Sequence, residues 1–209
     1  MISARETLER LREGNRRFAS NVRSLDTLLS QTRRGELQTG QRPVAIVLGC
    51  SDSRVPAEIV FDQGLGDLFV IRVAGNIVAP CLVGSVEFAA AQFGTRLVVV
   101  LGHSRCSAIL ATLEALRQPT MIHSHNLYSI IDHIRPSVEI LLSAELQHDT
   151  NDLIRDAVRA NVLASANHLR HGSELLEKLI LNDGLVVVGA EYSLETGLVE
   201  FFDGVPDAD

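Results

Sequence analysis

Four short apolar runs punctuate the chain: "VAIVLG" at 44–49, "LFVIRV" at 68–73, "RLVVVLG" at 96–102 and "LVVVGAEY" at 185–192. They are rich in valine and isoleucine, and most carry a glycine at one end. Continuous apolar runs of this kind, unlike alternating ones, suit strands covered on both faces, as in a parallel sheet. Between them apolar positions recur at helical spacing, over about 81–94, 105–117 and, with breaks, 126–182. The break "HGS" at 171–173 joins a helix end to a serine cap. "LVEFF" at 198–202 follows the turn "LETG" and predicts a last strand at the sheet edge.

At the N-terminus, Ser3 with Glu6 has the spacing of a capping box, and Leu8, Leu11 and Phe18 follow at helical intervals. This predicts a helix over residues 3–20. Residues 21–42 are polar and weakly periodic, and predict a connecting arm with some helix. The pattern as a whole predicts one α/β domain over residues 1–209: a helical arm (1–42) and a core (43–209) built on a central, mostly parallel β-sheet. Helices flank that sheet, and an antiparallel strand closes one edge. In such folds ligands collect where strands end in loops.

Composition narrows the picture. At 46% apolar the chain can build a sizeable core, and with 4% aromatics and no tryptophan its filling must be Leu, Val, Ile and Ala. A net charge of -7 argues against a general nucleic-acid binder, which needs a positive field. The first twenty residues are charged and lack the apolar run of a signal peptide, and no stretch approaches the ~20 apolar residues that span a bilayer. Three cysteines do not make a disulfide framework. The expectation is a soluble, cytoplasmic protein with neither nucleic-acid nor membrane partners.

Two predicted strands end in loops dense in reactive groups. The first gives Cys50-Ser51-Asp52-Ser53-Arg54, and the third gives Gly102-His103-Ser104-Arg105-Cys106. In a parallel sheet both loops leave the same edge, so Cys50, His103 and Cys106 can converge. Two thiolates and an imidazole match a zinc site whose fourth position stays open. Cys50 alone reads as core, because cysteine is among the most buried residue types. The conjunction changes that reading, since burying Asp52 and Arg54 beside it is costly without a task.

Other features carry less. "GLGDLF" at 64–69 superficially looks like a phosphate loop, but it precedes a strand and lacks the third glycine. Cys81 reads as a packed thiol, and His123 and His125 as loop residues. His133, His148, His168 and His171 read as helix-surface or interface residues. Arg5, Arg10, Arg12, Arg16 and Arg17 read as the solvated or interface face of the first helix.

Taken together, "CSDSRVPAEIVFDQGLGDLFVIRVAGNIV", "GSVEFA" and "LVVVLGHSRCSAI" strongly resemble the β-class carbonic anhydrases. The resemblance covers residues 3 to about 203 and is densest over 41–110. It implies a zinc hydro-lyase, with one zinc per subunit, that hydrates carbon dioxide reversibly to bicarbonate and a proton by zinc-bound hydroxide. It implies Cys50, His103 and Cys106 as metal ligands and Asp52 with Arg54 as a catalytic dyad. Asp52 joins the metal only in a closed, inactive state. Gln41, Phe69, Gly102 and Ser107 match substrate-binding positions. Ser107 stands where the family usually has glycine, which predicts a somewhat narrowed site.

The resemblance also implies a homodimer or homotetramer, with the site near the subunit interface and the N-terminal helix wrapping the partner. Gly49, Arg72 and Tyr192 match elements of a second, inhibitory bicarbonate pocket. Val47 replaces its tryptophan, so the expectation is weak or absent bicarbonate regulation. With two thiolates already cancelling the metal's charge, activity is expected to rise on the alkaline side of neutrality. Two other functions fit the same centre: hydrolysis of carbon disulfide or carbonyl sulfide, and a non-catalytic, zinc-stabilised interaction protein. The presence of Asp52, Arg54 and Gln41 argues against the last.

Overall fold

The computed structural model describes residues 2–22, 31–118, 124–143 and 150–206. The expectations for His123 and His148, and for part of the 21–42 arm, lie outside the described residues. Helix α1 (Ala4–Ala19) leads to α2 (Gln31–Glu36) and a 3-10 turn at Leu37–Thr39. Then come β1 (Ala45–Gly49), α3 (Ala57–Val60), β2 (Leu68–Arg72) and a second 3-10 turn at Ala74–Asn76. Helix α4 (Pro80–Gln92), β3 (Leu97–His103), α5 (Ser107–Arg117) and α6 (His125–Ser143) follow. Helices α7 (Thr150–His171) and α8 (Glu174–Asn182) precede β4 (Val186–Tyr192) and β5 (Val199–Asp203).

The strands form one sheet in the order β2-β1-β3-β4-β5. All pairings are parallel except β4 with β5, which is antiparallel as the edge strand was expected to be. Every residue of β1 and β3 is buried, which explains why their sequences do not alternate. Successive side chains still point to opposite faces. Ala45, Val47, Val99 and Leu101 join one core with Phe61, Leu8 and Leu11, while Ile46, Leu48, Val98 and Val100 join another with α4, α7 and α8.

The predicted caps are present. Ser3 N–H donates to Glu6 Oε2 at 2.8 Å, and Glu6 N–H donates to Ser3 Oγ at 3.2 Å. Ser173 Oγ accepts from Leu176 N–H at 3.1 Å at the start of α8. Helix α1 itself lies on the sheet of its own chain: Leu8 and Leu11 are 2% and 0% exposed. Gly14 permits that approach, because a Cβ there would sit 1.9 Å from the Phe61 carbonyl oxygen. Asn15 then ties the helix down, donating to the Val60 and Gly197 carbonyls and accepting from Val199 N–H. Of the helix arginines, Arg10 pairs with Asp67 and Arg17 with Asp62.

On the opposite face α7 comes close over two glycines. A Cβ on Gly102 would lie 2.5 Å from Val162 Cγ2, and one on Gly189 would lie 3.0 Å from Val162 Cγ1.

Candidate metal centre and active site

The register sets Leu48 of β1 beside Val100 of β3 and Gly49 beside Leu101, so the loops that follow emerge side by side. Cys50, His103 and Cys106 meet there, all buried, with their donor atoms within 4.8 Å of one another. The two sulfurs are 3.9 Å apart. Tetrahedral coordination at metal–sulfur distances of about 2.3 Å requires about 3.8 Å between sulfurs, so the pair is already spaced for a metal. His103 Nδ1 lies 3.0 Å from the Ser104 carbonyl oxygen, which only accepts. Nδ1 therefore carries the proton and Nε2 keeps its lone pair. Nε2 is buried without a hydrogen-bond partner, as a ligand nitrogen in want of a metal would be. Among the described residues no fourth Cys, His, Asp or Glu joins the group.

Local structure holds each donor. Cys50 ends β1, and its Sγ accepts from Gly75 N–H at 3.4 Å. Arg72, at the end of β2, donates from Nε to the Cys50 carbonyl and from Nη2 to the Asp52 carbonyl, at 3.1 and 2.6 Å. The sequence offered Arg72 as part of an inhibitory pocket; here it braces the metal loop. Cys106 is the N-cap of α5, one residue after Arg105, whose φ of 55° turns the loop. The two thiols are pulled in opposite directions. The hydrogen bond from Cys106 is the main cause that brings Cys50 down to about 4, aided by His103 and by the Gly75 and Asp52 N–H groups. The same bond, then burial, pushes Cys106 up.

Asp52 is held by its neighbour two residues on. Arg54 grips it with Nε on Oδ1 at 2.9 Å, Nη2 on Oδ2 at 2.7 Å, and its backbone N–H on Oδ1 at 2.9 Å. Those bonds from Arg54 are the main cause that holds the Asp52 carboxyl well below the usual carboxylate range. Asp52 Oδ2 remains 3.9 Å from His103 Nε2.

The expected substrate residues are distributed differently. Ser107 is exposed, directly after Cys106 at the start of α5. Gly102 is buried under Val162 and Val158 of α7, so its missing side chain serves helix packing. Gln41 is exposed and precedes β1, whereas Cys50 follows it, so the strand's length separates them. Phe69 pairs in register with Ile46, four residues before Cys50, and packs with Phe88 and Phe93 at ring distances of 6.3 and 6.0 Å. Neither reaches the cluster of its own chain. Cys81 is exposed near the start of α4 instead of packed. Val47 is fully buried in the core, and buried Tyr192 packs on Phe18. His125, His133, His168 and His171 are exposed or partly exposed on helices away from the metal cluster.

A family model described as "Carbonic anhydrase" matches residues 45–199. The chain is 36% identical over 187 residues to "Carbonic anhydrase 2" of Mycobacterium tuberculosis, covering 90% of this chain and 87% of that one. It is 36% identical over 198 residues to a carbonic anhydrase of Mycolicibacterium smegmatis, covering 91% and 89%. Among solved structures, the β-carbonic anhydrase CcaA superposes with a TM-score of 0.75 at 26% identity, covering 97% of this chain and 93% of that one. One of two tetrameric β-carbonic anhydrases from Sordaria macrospora shares the fold with a TM-score of 0.75 at 22% identity, over 83% and 87% of the two chains. A Cys-His-Cys cluster at the strand ends, with a matching family model and relatives of matching length, leads to one conclusion: the chain belongs to the carbonic anhydrase family, in its β class.

Proposed function

We propose that this protein converts carbon dioxide and water reversibly into bicarbonate and a proton, with Cys50, His103 and Cys106 holding one zinc ion per chain. Zinc bound there supplies the Lewis acidity that makes water a nucleophile near neutral pH. Asp52, fixed by Arg54, accepts a hydrogen bond from the attacking oxygen and aims its lone pair at the carbon of carbon dioxide. Arg54 would also keep Asp52 from binding the metal, since its two-pronged guanidinium fork satisfies both carboxylate oxygens. Released from Arg54, Asp52 would bind the metal and close the site.

The observation that carries this reading is the Asp52–Arg54 pair beside three, not four, convergent donors among the described residues. A structural zinc site needs four protein ligands and has no use for a carboxylate held back from the metal. The matched relatives are carbonic anhydrases, which supports carbon dioxide over carbon disulfide or carbonyl sulfide as substrate. The distance of Gln41 and Phe69 from their own chain's cluster supports a homo-oligomer in which a second copy completes each site. The tetrameric relatives of Sordaria macrospora agree with such an assembly. Three free cysteines support a reducing, cytoplasmic compartment.

Metal analysis paired with stopped-flow carbon dioxide hydration tests the proposal. One zinc per chain is expected, with activity lost to a chelator and restored by zinc. A fully zinc-loaded protein that did not accelerate hydration would overturn it.

A further inference from the structure

Helix α7 buries an aliphatic stripe that includes Val158, Val162, Ala166 and Leu169, and two polar residues interrupt it. Asn161 and Ser165, one helical turn apart, are 2% and 5% exposed. An amide and a hydroxyl at such depth are costly unless they find partners. Both find them in the same place. Asn161 Nδ2 donates to the Gly75 carbonyl at 2.7 Å, and Ser165 Oγ donates to the Asn76 carbonyl at 3.0 Å.

The turn they hold has an unusual backbone. Gly75 has φ of 72° and Asn76 of 42°, two consecutive left-handed residues, one of them not glycine. Gly75 is also sterically required, since a Cβ there would lie 2.8 Å from Ile134 Cδ1 and 3.1 Å from Ala108 Cβ. From this turn the Gly75 N–H points at Cys50 Sγ, 3.4 Å away. A continuous chain of bonds thus runs from two buried side chains on α7, through a strained turn, to a metal-binding sulfur.

We propose that Asn161 and Ser165 are positioning residues for the Cys50 thiolate, acting through the Ala74–Asn76 turn; the proposal rests on the reading of Cys50 as a metal ligand. Their two bonds hold the turn in the conformation that presents the Gly75 N–H to sulfur. That N–H bonds the anionic sulfur, fixes where it points and would disfavour its departure from a bound metal. Without the anchors the left-handed pair relaxes, the N–H turns away, and Cys50 becomes the ligand released first.

The test compares zinc-loaded wild type with Asn161→Leu, which keeps the branched outline with a larger volume and removes the donor, and with Ser165→Ala. Leu169→Ala serves as control, because it opens a cavity in the same helix one turn beyond Ser165 and removes no hydrogen-bonding group. Transfer of zinc to an excess of a chromophoric chelator should be at least about tenfold faster in Asn161→Leu, in line with the usual effect of losing a support behind a metal ligand. Ser165→Ala should show a smaller acceleration and Leu169→Ala none. In the cobalt-substituted protein, the sulfur-to-cobalt charge-transfer band should shift in Asn161→Leu and Ser165→Ala only. Wild-type release rates and unshifted bands in both variants would overturn the proposal, as would equal acceleration in Leu169→Ala. If Asn161→Leu does not fold, Ser165→Ala carries the same decision. A wild-type protein that took up neither metal would instead overturn the ligand assignment beneath it.

Discussion

Substituting Gly102 by alanine separates two accounts of that residue, the substrate contact expected from sequence and the helix contact seen in the fold. A Cβ at 102 would lie 2.5 Å from Val162 Cγ2 and 3.2 Å from Val158 Cγ1. Carbon–carbon contacts are comfortable at about 3.5–4.0 Å, so Val162 must retreat by about 1 Å. Rotation gives little relief, since Val162 Cγ1 already covers Gly189 and valine in a helix strongly prefers one rotamer. Helix α7 must therefore shift, at a cost of about 1–3 kcal/mol for overpacking. Replacing a strand glycine recovers about 0.5–1 kcal/mol of that.

For a chain of this size a net loss of about 1–2 kcal/mol lowers the thermal midpoint by about 2–8 °C. The decisive assay is a double-mutant cycle with Val162→Ala, using urea unfolding at fixed protein concentration alongside KM for bicarbonate. Val162→Ala removes the obstructing methyl, so the double variant should be more stable than the sum of the single effects by at least about 1 kcal/mol. KM should recover with it. An unchanged urea midpoint in Gly102→Ala, with a raised KM that Val162→Ala does not relieve, would refute the packing account.

Arg54→Ala removes two of the three N–H groups that hold Asp52 and should lower kcat at least about tenfold while zinc content stays at wild-type level, since orientation is what is lost. Because Arg54 lowers the Asp52 pKa, the wild type gains stability above the ordinary carboxylate range and loses it as pH falls toward the native value. The stability gap between wild type and Arg54→Ala, read from urea midpoints, should therefore be present at neutral pH and close on acidification; a gap independent of pH would contradict the pairing. Bicarbonate should inhibit along a simple hyperbola, since Arg72 is committed to the Cys50 and Asp52 carbonyls and Val47 is core; a steep sigmoidal curve would count against this. Mixing refolded Gln41→Ala and Asp52→Asn chains should restore about a quarter of wild-type activity by random dimer formation, with one intact site in each mixed pair. No recovery above the separate variants would mean that Gln41 does not serve a second copy.

Much of this was legible in the sequence because it is local or follows from strand direction. The Ser3–Glu6 cap lies within one turn, and Cys50 meets His103 because both close parallel strands at the same edge. Proximity along the chain is not proximity in space where a strand intervenes. Gln41 is nine residues from Cys50 in sequence, yet a strand rising about 3.3 Å per residue carries them to opposite edges. Amphipathicity told that α1 buries one face without telling what covers it; Asn15 and Gly14, which decide this, look unremarkable in sequence. Gly102 was ambiguous in kind, because a glycine admits a substrate and a neighbouring helix equally well. Asn161 and Ser165 did leave a signal, two polar residues at i and i+4 inside an apolar stripe, but their target is 86 and 89 residues away.

The means by which the cluster carries charge follow from what a metal site can tolerate. Two buried thiolates repel each other, so the pair is split: the hydrogen bond between them lowers Cys50 and, with burial, raises Cys106. A lysine or arginine in contact with the sulfurs would relieve the repulsion but would compete with the metal for the same electrons. Arg54 and Arg72, the cations beside the loop, are spent on the Asp52 carboxylate and on backbone carbonyls instead. At Cys50 the hydrogen bond from Cys106 stabilises the sulfur most, followed by His103, and backbone N–H groups add to it: Gly75 and Asp52 toward Cys50, Ile109 and Ala108 toward Cys106 at the positive end of α5. These dipoles favour a thiolate without neutralising it. His103 for its part already presents its lone pair. The strained turn at Gly75 and the N-cap at Cys106 thus do the same work from two sides of the site.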